Sequence, residues 1–186
     1  ASFELDDRFT AYDAATITRL GLDGGKFLAR ICLDDPASVA TLEAGGRAVT
    51  ELASAGRMAM VEPFLSVRRE GRVVNLLDPD SVITSMHIAS GLGATSAYTW
   101  LKVPVVEDMH RVLDATTLPT LLLGGDPTGD PDDTFSAWAD ALAHPSAAGL
   151  VVGRSLLYPR GDAVAAAVDT AAGKLLPRAG AWMDAV

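Results

Sequence analysis

Short apolar runs that recur between helical stretches constrain this chain more than any other feature. Residues 27–33, 58–65, 97–103, 120–123 and 149–152 each read as a strand. Leu121-Leu122-Leu123 and Leu150-Val151-Val152 are apolar without alternation. A strand needs that pattern when both of its faces are covered, as in a parallel sheet flanked by helices. The segments between the runs carry helix signals. Asp34-Asp35-Pro36 starts a helix that runs to about residue 55 and stops at Gly56, and Asp78-Pro79 opens another that closes near Gly91. Further helices are expected over 106–115, from the Gly-Asp-Pro-rich loop at 124–133 to about 144, and over 162–174, with one more at 13–22 ahead of the first strand. The polar segment 67–74 reads as a hairpin-like excursion. Strands alternating with helices from end to end define an α/β protein.

Two architectures accommodate five βα units. A doubly wound open sheet is a natural use of 186 residues. The other is the C-terminal five units of a (β/α)8 barrel, a single domain over 1–186 lacking its first three units. The chain opens on a loop feeding a helix, as if cut just after a strand. Its chemically suggestive residues fall at the ends of several strands, as barrel active sites do. Closing that barrel needs roughly 80–100 further residues.

The formal charge of −9 argues against nucleic acid or an anionic membrane as a partner. No apolar run approaches the roughly 20 residues of a membrane span, and no signal peptide is visible. The single cysteine, Cys32, excludes an internal disulfide framework and suits a reduced cytoplasmic setting. His87, His144, Asp108 and His110 show no zinc-like spacing, so no metal is expected. Walker A, Gly-x-Gly-x-x-Gly and nucleophile-elbow motifs are absent from the sequence, and no cofactor is expected.

Lys102 stands out. The chain has three lysines against twelve arginines, yet Lys102 lies inside the apolar run 97–105. Desolvation favours the neutral amine of a lysine, and a neutral amine can form an imine, which arginine cannot. That makes Lys102 the candidate Schiff-base nucleophile, against the plain alternative of a lysine marking a strand end. Alternation places Tyr98 and Trp100 on its face of the strand, as desolvating neighbours and core. Lys26 and Lys174, at a strand start and a helix end, are not placed for chemistry. Glu62, an acid inside the apolar strand Met60-Val61-Glu62-Pro63-Phe64, is the candidate proton shuttle. Arg30 sits mid-strand and is costly to bury unpaired, so an Arg30–Glu62 pair across adjacent strands is expected.

Three motifs in order, Trp100-Leu101-Lys102-Val103-Pro104, Leu122-Leu123-Gly124-Gly125-Asp126 and Gly149-Leu150-Val151-Val152-Gly153-Arg154, resemble the class I aldolases of the deoxyribose-phosphate aldolase superfamily. The resemblance is to the archaeal-type fructose-bisphosphate aldolase branch and covers about residues 24–175. It implies a (β/α)8 barrel whose sixth, seventh and eighth strands carry these motifs, with Lys102 as the imine-forming residue. Gly124, Gly125, Gly153 and Arg154 would then hold a substrate phosphate, a role that glycine amides and an arginine fork suit. From their places in the strands, beside Glu62 and Lys102, Arg30 and Trp100 are the further expected substrate contacts. Members of that branch use an aromatic hydroxyl near the strand where this chain has Glu62.

The expected function is cleavage or formation of a C–C bond in a phosphorylated sugar or keto-deoxy sugar acid, in a protein of a type that often forms homo-oligomers. The alternatives are a phosphosugar isomerase or epimerase on the same barrel and a non-catalytic α/β binding module.

Overall fold

A computed structural model describes residues 5–8, 11–125, 131–157 and 164–179. In chain order the elements are α1 (Ala14–Arg19), β1 (Gly24–Ile31), α2 (Ala37–Ser54), β2 (Met58–Arg69), β3 (Arg72–Asn75), α3 (Pro79–Ser90) and β4 (Thr99–Pro104). They continue with α4 (Met109–Asp114), β5 (Thr120–Leu123), α5 (Pro131–Leu142), β6 (Ala147–Val151), α6 (Arg154–Leu157) and α7 (Val164–Ala179). Residues 126–130 of the 124–133 loop and the expected start of the last helix at 162 lie outside the described residues.

The sheet order is β1-β2-β4-β5-β6, all parallel, with β3 antiparallel against β2. Each parallel strand is laid beside its predecessor, always on the same side. A doubly wound sheet reverses that progression at a switch point; this one does not, and its winding is that of a (β/α)8 barrel.

Side-chain parity tells the same story. Phe27, Ala29, Ala59, Val61, Leu101, Val103 and Leu122 share one face and pack in a single core with Val49 and Leu52 of α2, Val82 and Met86 of α3, Val112 and Leu113 of α4, and Ala141 of α5. All four helices therefore cover the same side of the sheet. The opposite, inner face carries Lys26, Leu28 and Arg30 of β1, Met60, Glu62 and Phe64 of β2, Trp100, Lys102 and Pro104 of β4, and Leu121 and Leu123 of β5. It is the less enclosed side: Val61, Leu101 and Leu122 on the helix side are fully buried, whereas Met60, Trp100 and Leu121 are half-buried and Val151 is exposed.

Local chemistry fixes the helix positions. α2 buries Ser38, Thr41, Gly45, Val49 and Leu52, a spacing of three and four that makes one stripe. Gly45 lets the Phe27 ring approach to 3.0 Å of where its Cβ would sit. At α3 the Asp78 carboxylate accepts from the Ser81 amide at 2.9 Å and the Ser81 hydroxyl at 2.7 Å, and Pro79 follows in the first turn. Among the described residues no helix is long and apolar enough to cross a membrane.

The ion pair expected between Arg30 and Glu62 does not form. Arg30 instead donates from Nε to Asp7 at 2.9 Å and from its backbone amide at 3.1 Å, with the guanidinium closing a second contact to the same carboxylate. Asp7 is held there because Thr41 accepts its amide at 2.9 Å and donates to the Leu5 carbonyl at 2.7 Å. Arg30 is only 4% exposed. Asp7→Ala leaves that cation buried without a counter-charge and is expected to lower stability by about 3–5 kcal/mol, whereas the double replacement Asp7→Leu/Arg30→Met is expected to cost much less. Urea denaturation of the three proteins measures the difference.

Candidate active site

The parallel register sets Ala59 level with Thr99 and Val61 level with Leu101. The same offset brings Glu62 level with Lys102 on the inner face. Lys102 Nζ donates to Glu62 Oε2 at 3.3 Å. Lys26 Nζ forms an ion pair with the same oxygen. One carboxylate oxygen on β2 is thus shared by two ammonium groups from the strands on either side, β1 and β4. The Glu62 and Lys102 side chains are 11% and 15% exposed, and that of Lys26 is 42% exposed.

Lys26 was not expected to take part in chemistry. Its strand begins at Gly24 rather than at residue 27, so Lys26 is a third strand residue on the inner face. It lies level with Met60, one inward-facing step below Glu62, and its long stem bridges that step. Parity with Arg30 was the signal available in the sequence. Trp100 lies one step below Lys102 on the same face, half-buried.

Directly above this triad Phe64, Pro104 and Leu123 floor a cleft of about 450 Å³. Its walls include Asn75 and Leu77 on the β3 side, Gly124, Gly125 and Arg154 beyond β5 and β6, and Thr134 and Trp138 of α5. Lys102 is not itself in the lining; it sits one inward-facing step beneath the Pro104 that is. Trp138 is buried and meets Phe135 edge-on at 5.3 Å between ring centres, which makes the α5 wall firm. Gly124 cannot be replaced freely: a Cβ there would lie 2.7 Å from Val152 Cγ1 and 3.3 Å from Val152 Cα. Gly125 has φ +67°, a backbone that glycine adopts without strain.

The expected site residues other than Trp100 therefore fall into three groups. Glu62 and Lys102 meet. Gly124, Gly125 and Arg154 gather at the cleft above them, with Gly153 adjacent, its carbonyl accepting the Leu157 amide at 2.9 Å. Arg30 stands apart at the edge strand, engaged by Asp7. The sequence did not reveal that Lys26 pairs with Glu62 or that Asn75 lines the cleft.

The histidines are elsewhere. His144 is buried behind α4, with Nε2 3.0 Å from Asp114 and Nδ1 accepting the Ser146 amide. His110 and Asp108 are exposed. Among the described residues no three His, Cys, Asp or Glu side chains gather as a metal site.

A partial (β/α)8 barrel with a lysine–carboxylate–lysine array beneath a cleft at the C-terminal strand ends is the class of structure these observations define. Residues 1–172 match the Cgl0159-like family model, and the chain belongs to that family. It is similar to the crystal structure of Cgl0159 from Corynebacterium glutamicum, at 52% identity and a TM-score of 0.90, covering 95% of this chain and 59% of that one. The chain thus spans about three fifths of that relative's length. A Schiff-base-forming fructose-1,6-bisphosphate aldolase shares the fold at 22% identity and a TM-score of 0.68, covering 89% of this chain and 62% of that one. An archaeal fructose 1,6-bisphosphate aldolase does so at 18% identity and a TM-score of 0.71, covering 91% and 64%. Comparison with proteins of curated function gives no match.

Gly124→Ala is expected to lower stability by about 1–3 kcal/mol, because Val152 is stiff and its backbone close. Thermal or urea unfolding checks it, with Gly153→Ala, where a Cβ meets nothing within 4 Å, as the control.

Proposed function

We propose that the protein is a class I aldolase acting on a phosphorylated sugar or keto-deoxy sugar acid, with Lys102 as the imine-forming nucleophile. The observation that carries this reading is the contact between Lys102 and a buried carboxylate on the inner face of a barrel sheet. A structural lysine at a strand end has no need of Glu62, and a buried glutamate is costly unless it is paired.

In cleavage, the Lys102 amine adds to the substrate ketone and loses water to give a protonated imine. The bond two carbons from the nitrogen then breaks as the neighbouring hydroxyl gives up its proton; an aldehyde leaves, and the electron pair passes into the imine to form an enamine. Protonation of the enamine carbon and hydrolysis by one water release the second carbonyl product and restore the amine. Glu62 touches Lys102 and supplies a proton acceptor at the nitrogen during addition and loss of water. Lys26 holds the other side of Glu62, fixing where its carboxylate points. The cleft above supplies the anion contacts: the backbone amide of Gly125 and the guanidinium of Arg154 suit a phosphate, while the Gly124 amide donates to the Val151 carbonyl at 3.3 Å and its missing side chain leaves the backbone open to close approach.

The likeness in fold to two aldolases supports this reading. The relative's greater length supports a further part of the same proposal, that additional βα units beside β1 complete the barrel and part of the pocket.

The test is intact mass of the full-length protein after incubation with dihydroxyacetone phosphate, and separately with acetaldehyde, each in the presence of borohydride. A covalent gain on the peptide carrying Lys102, absent in Lys102→Arg, is expected. Glu62→Gln is expected to retain the adduct and lose about 10²–10⁴ in turnover. No adduct with either compound on the folded protein contradicts the proposal.

A further inference from the structure

The hairpin of β2 and β3 carries the inner face beyond the mouth of the barrel. Counting alternate residues up β2 leads from Glu62 through Phe64 to Ser66, and Ser66 pairs with Asn75 while Arg68 pairs with Val73. The hairpin is tied to the rest of the fold at one point and braced between its own strands at another. Arg68 Nε donates to Asp35 at 2.5 Å, linking it to the loop after β1, and that hydrogen bond holds the Asp35 carboxyl below the usual carboxylate range. Ser66, 2% exposed, donates its hydroxyl to Asn75 Oδ1 at 3.0 Å. The wall above Glu62 is thereby fixed in place.

An asparagine amide has one accepting oxygen and two N–H donors. Ser66 takes the oxygen and so sets the orientation of the amide. Among the described residues Nδ2 has no hydrogen-bond partner, although Asn75 lines the cleft. Its place across the cleft is also informative. Gly124 and Arg154 follow β5 and β6, Asn75 belongs to the strand paired with β2, and β4 with Lys102 runs between them. A substrate whose carbonyl sits on Lys102 and whose phosphate sits at Gly124 and Arg154 directs its other half toward Asn75.

We propose that Asn75 is a specificity-determining residue whose Nδ2 donates to a hydroxyl oxygen in the half of the substrate remote from the phosphate. In the direction of synthesis this selects a hydroxylated acceptor aldehyde over an apolar one of the same length. The inference rests on the Schiff-base reading above and goes beyond it by naming what the far end of the cleft recognises.

The experiment uses the full-length protein with dihydroxyacetone phosphate as donor and either glyceraldehyde or propionaldehyde as acceptor. These two acceptors differ only in their hydroxyls. The quantity read is the ratio of kcat/KM for glyceraldehyde to that for propionaldehyde. Asn75→Leu is expected to lower this ratio about tenfold, the worth of one hydrogen bond. The double variant Ser66→Ala/Asn75→Leu leaves no buried hydroxyl without its acceptor, so it guards against misfolding and is expected to show the same loss. A ratio within twofold of wild type in the double variant, or an equal loss for both aldehydes, overturns the assignment. Borohydride trapping on the same samples separates the two levels. An adduct on Lys102 with an unmoved ratio removes only the role of Asn75, whereas no adduct in wild type removes the Schiff-base reading and this inference together.

Discussion

A carboxylate buried on the face of a parallel sheet must find cations, and Glu62 finds two. Lys102 and Lys26 converge on one of its oxygens from the strands on either side. The desolvation of three charged groups makes such an array poor evidence for stability in itself. Its consequence is positional: the strands β1, β2 and β4 must keep one register for the three side chains to meet. The uniform parallel order and the helix layer packed against the opposite face enforce that register. The chemistry on one side of the sheet thus depends on the packing on the other.

The cleft follows from the same geometry. Residues one inward-facing step beyond Glu62, Lys102 and Leu121 form its floor, and the segments that leave β5 and β6 form one wall. The opposite wall is unusual for a barrel, because β2 does not stop at the mouth. It runs on to Arg69, turns at Glu70 and Gly71, both with positive φ, and returns as β3. A strand that overshoots in this way brings side chains over the site that a short loop could not hold rigidly. The Ser66–Asn75 hydrogen bond braces the two strands of the hairpin, and Asp35 ties it to the loop after β1.

Much of this was legible in the sequence. The apolar runs located all five parallel strands, because a strand flanked by helices leaves a dense local signal. Lys102 was legible because an isolated lysine in such a run contradicts its surroundings, and Glu62 for the same reason. The three-motif resemblance pointed to barrel winding, which strand order then established in place of the doubly wound alternative. What was not legible depends on contacts distant in sequence. Arg30 was assigned to Glu62 on the basis of neighbouring strands, but Asp7, in a polar segment with no periodic pattern, reaches it first. Lys26, at a strand start, gives no sign of reaching Glu62; β1 begins earlier, at Gly24, whose lack of a side chain is required there, since a Cβ would lie 2.2 Å from the Met58 carbonyl oxygen. The helix expected over 106–115 is shorter because Asp108 takes a left-handed backbone just before Met109.

The central claim is that the imine on Lys102 is the electron sink. Solvent-deuterium incorporation into dihydroxyacetone phosphate, followed by proton NMR with the full-length protein in D2O and no acceptor aldehyde, tests it directly. Exchange at the carbon that becomes nucleophilic is expected in wild type and none in Lys102→Arg. Exchange that persists in the folded Lys102→Arg protein would contradict it, since a base acting without an imine, as in an isomerase, would then be removing the proton.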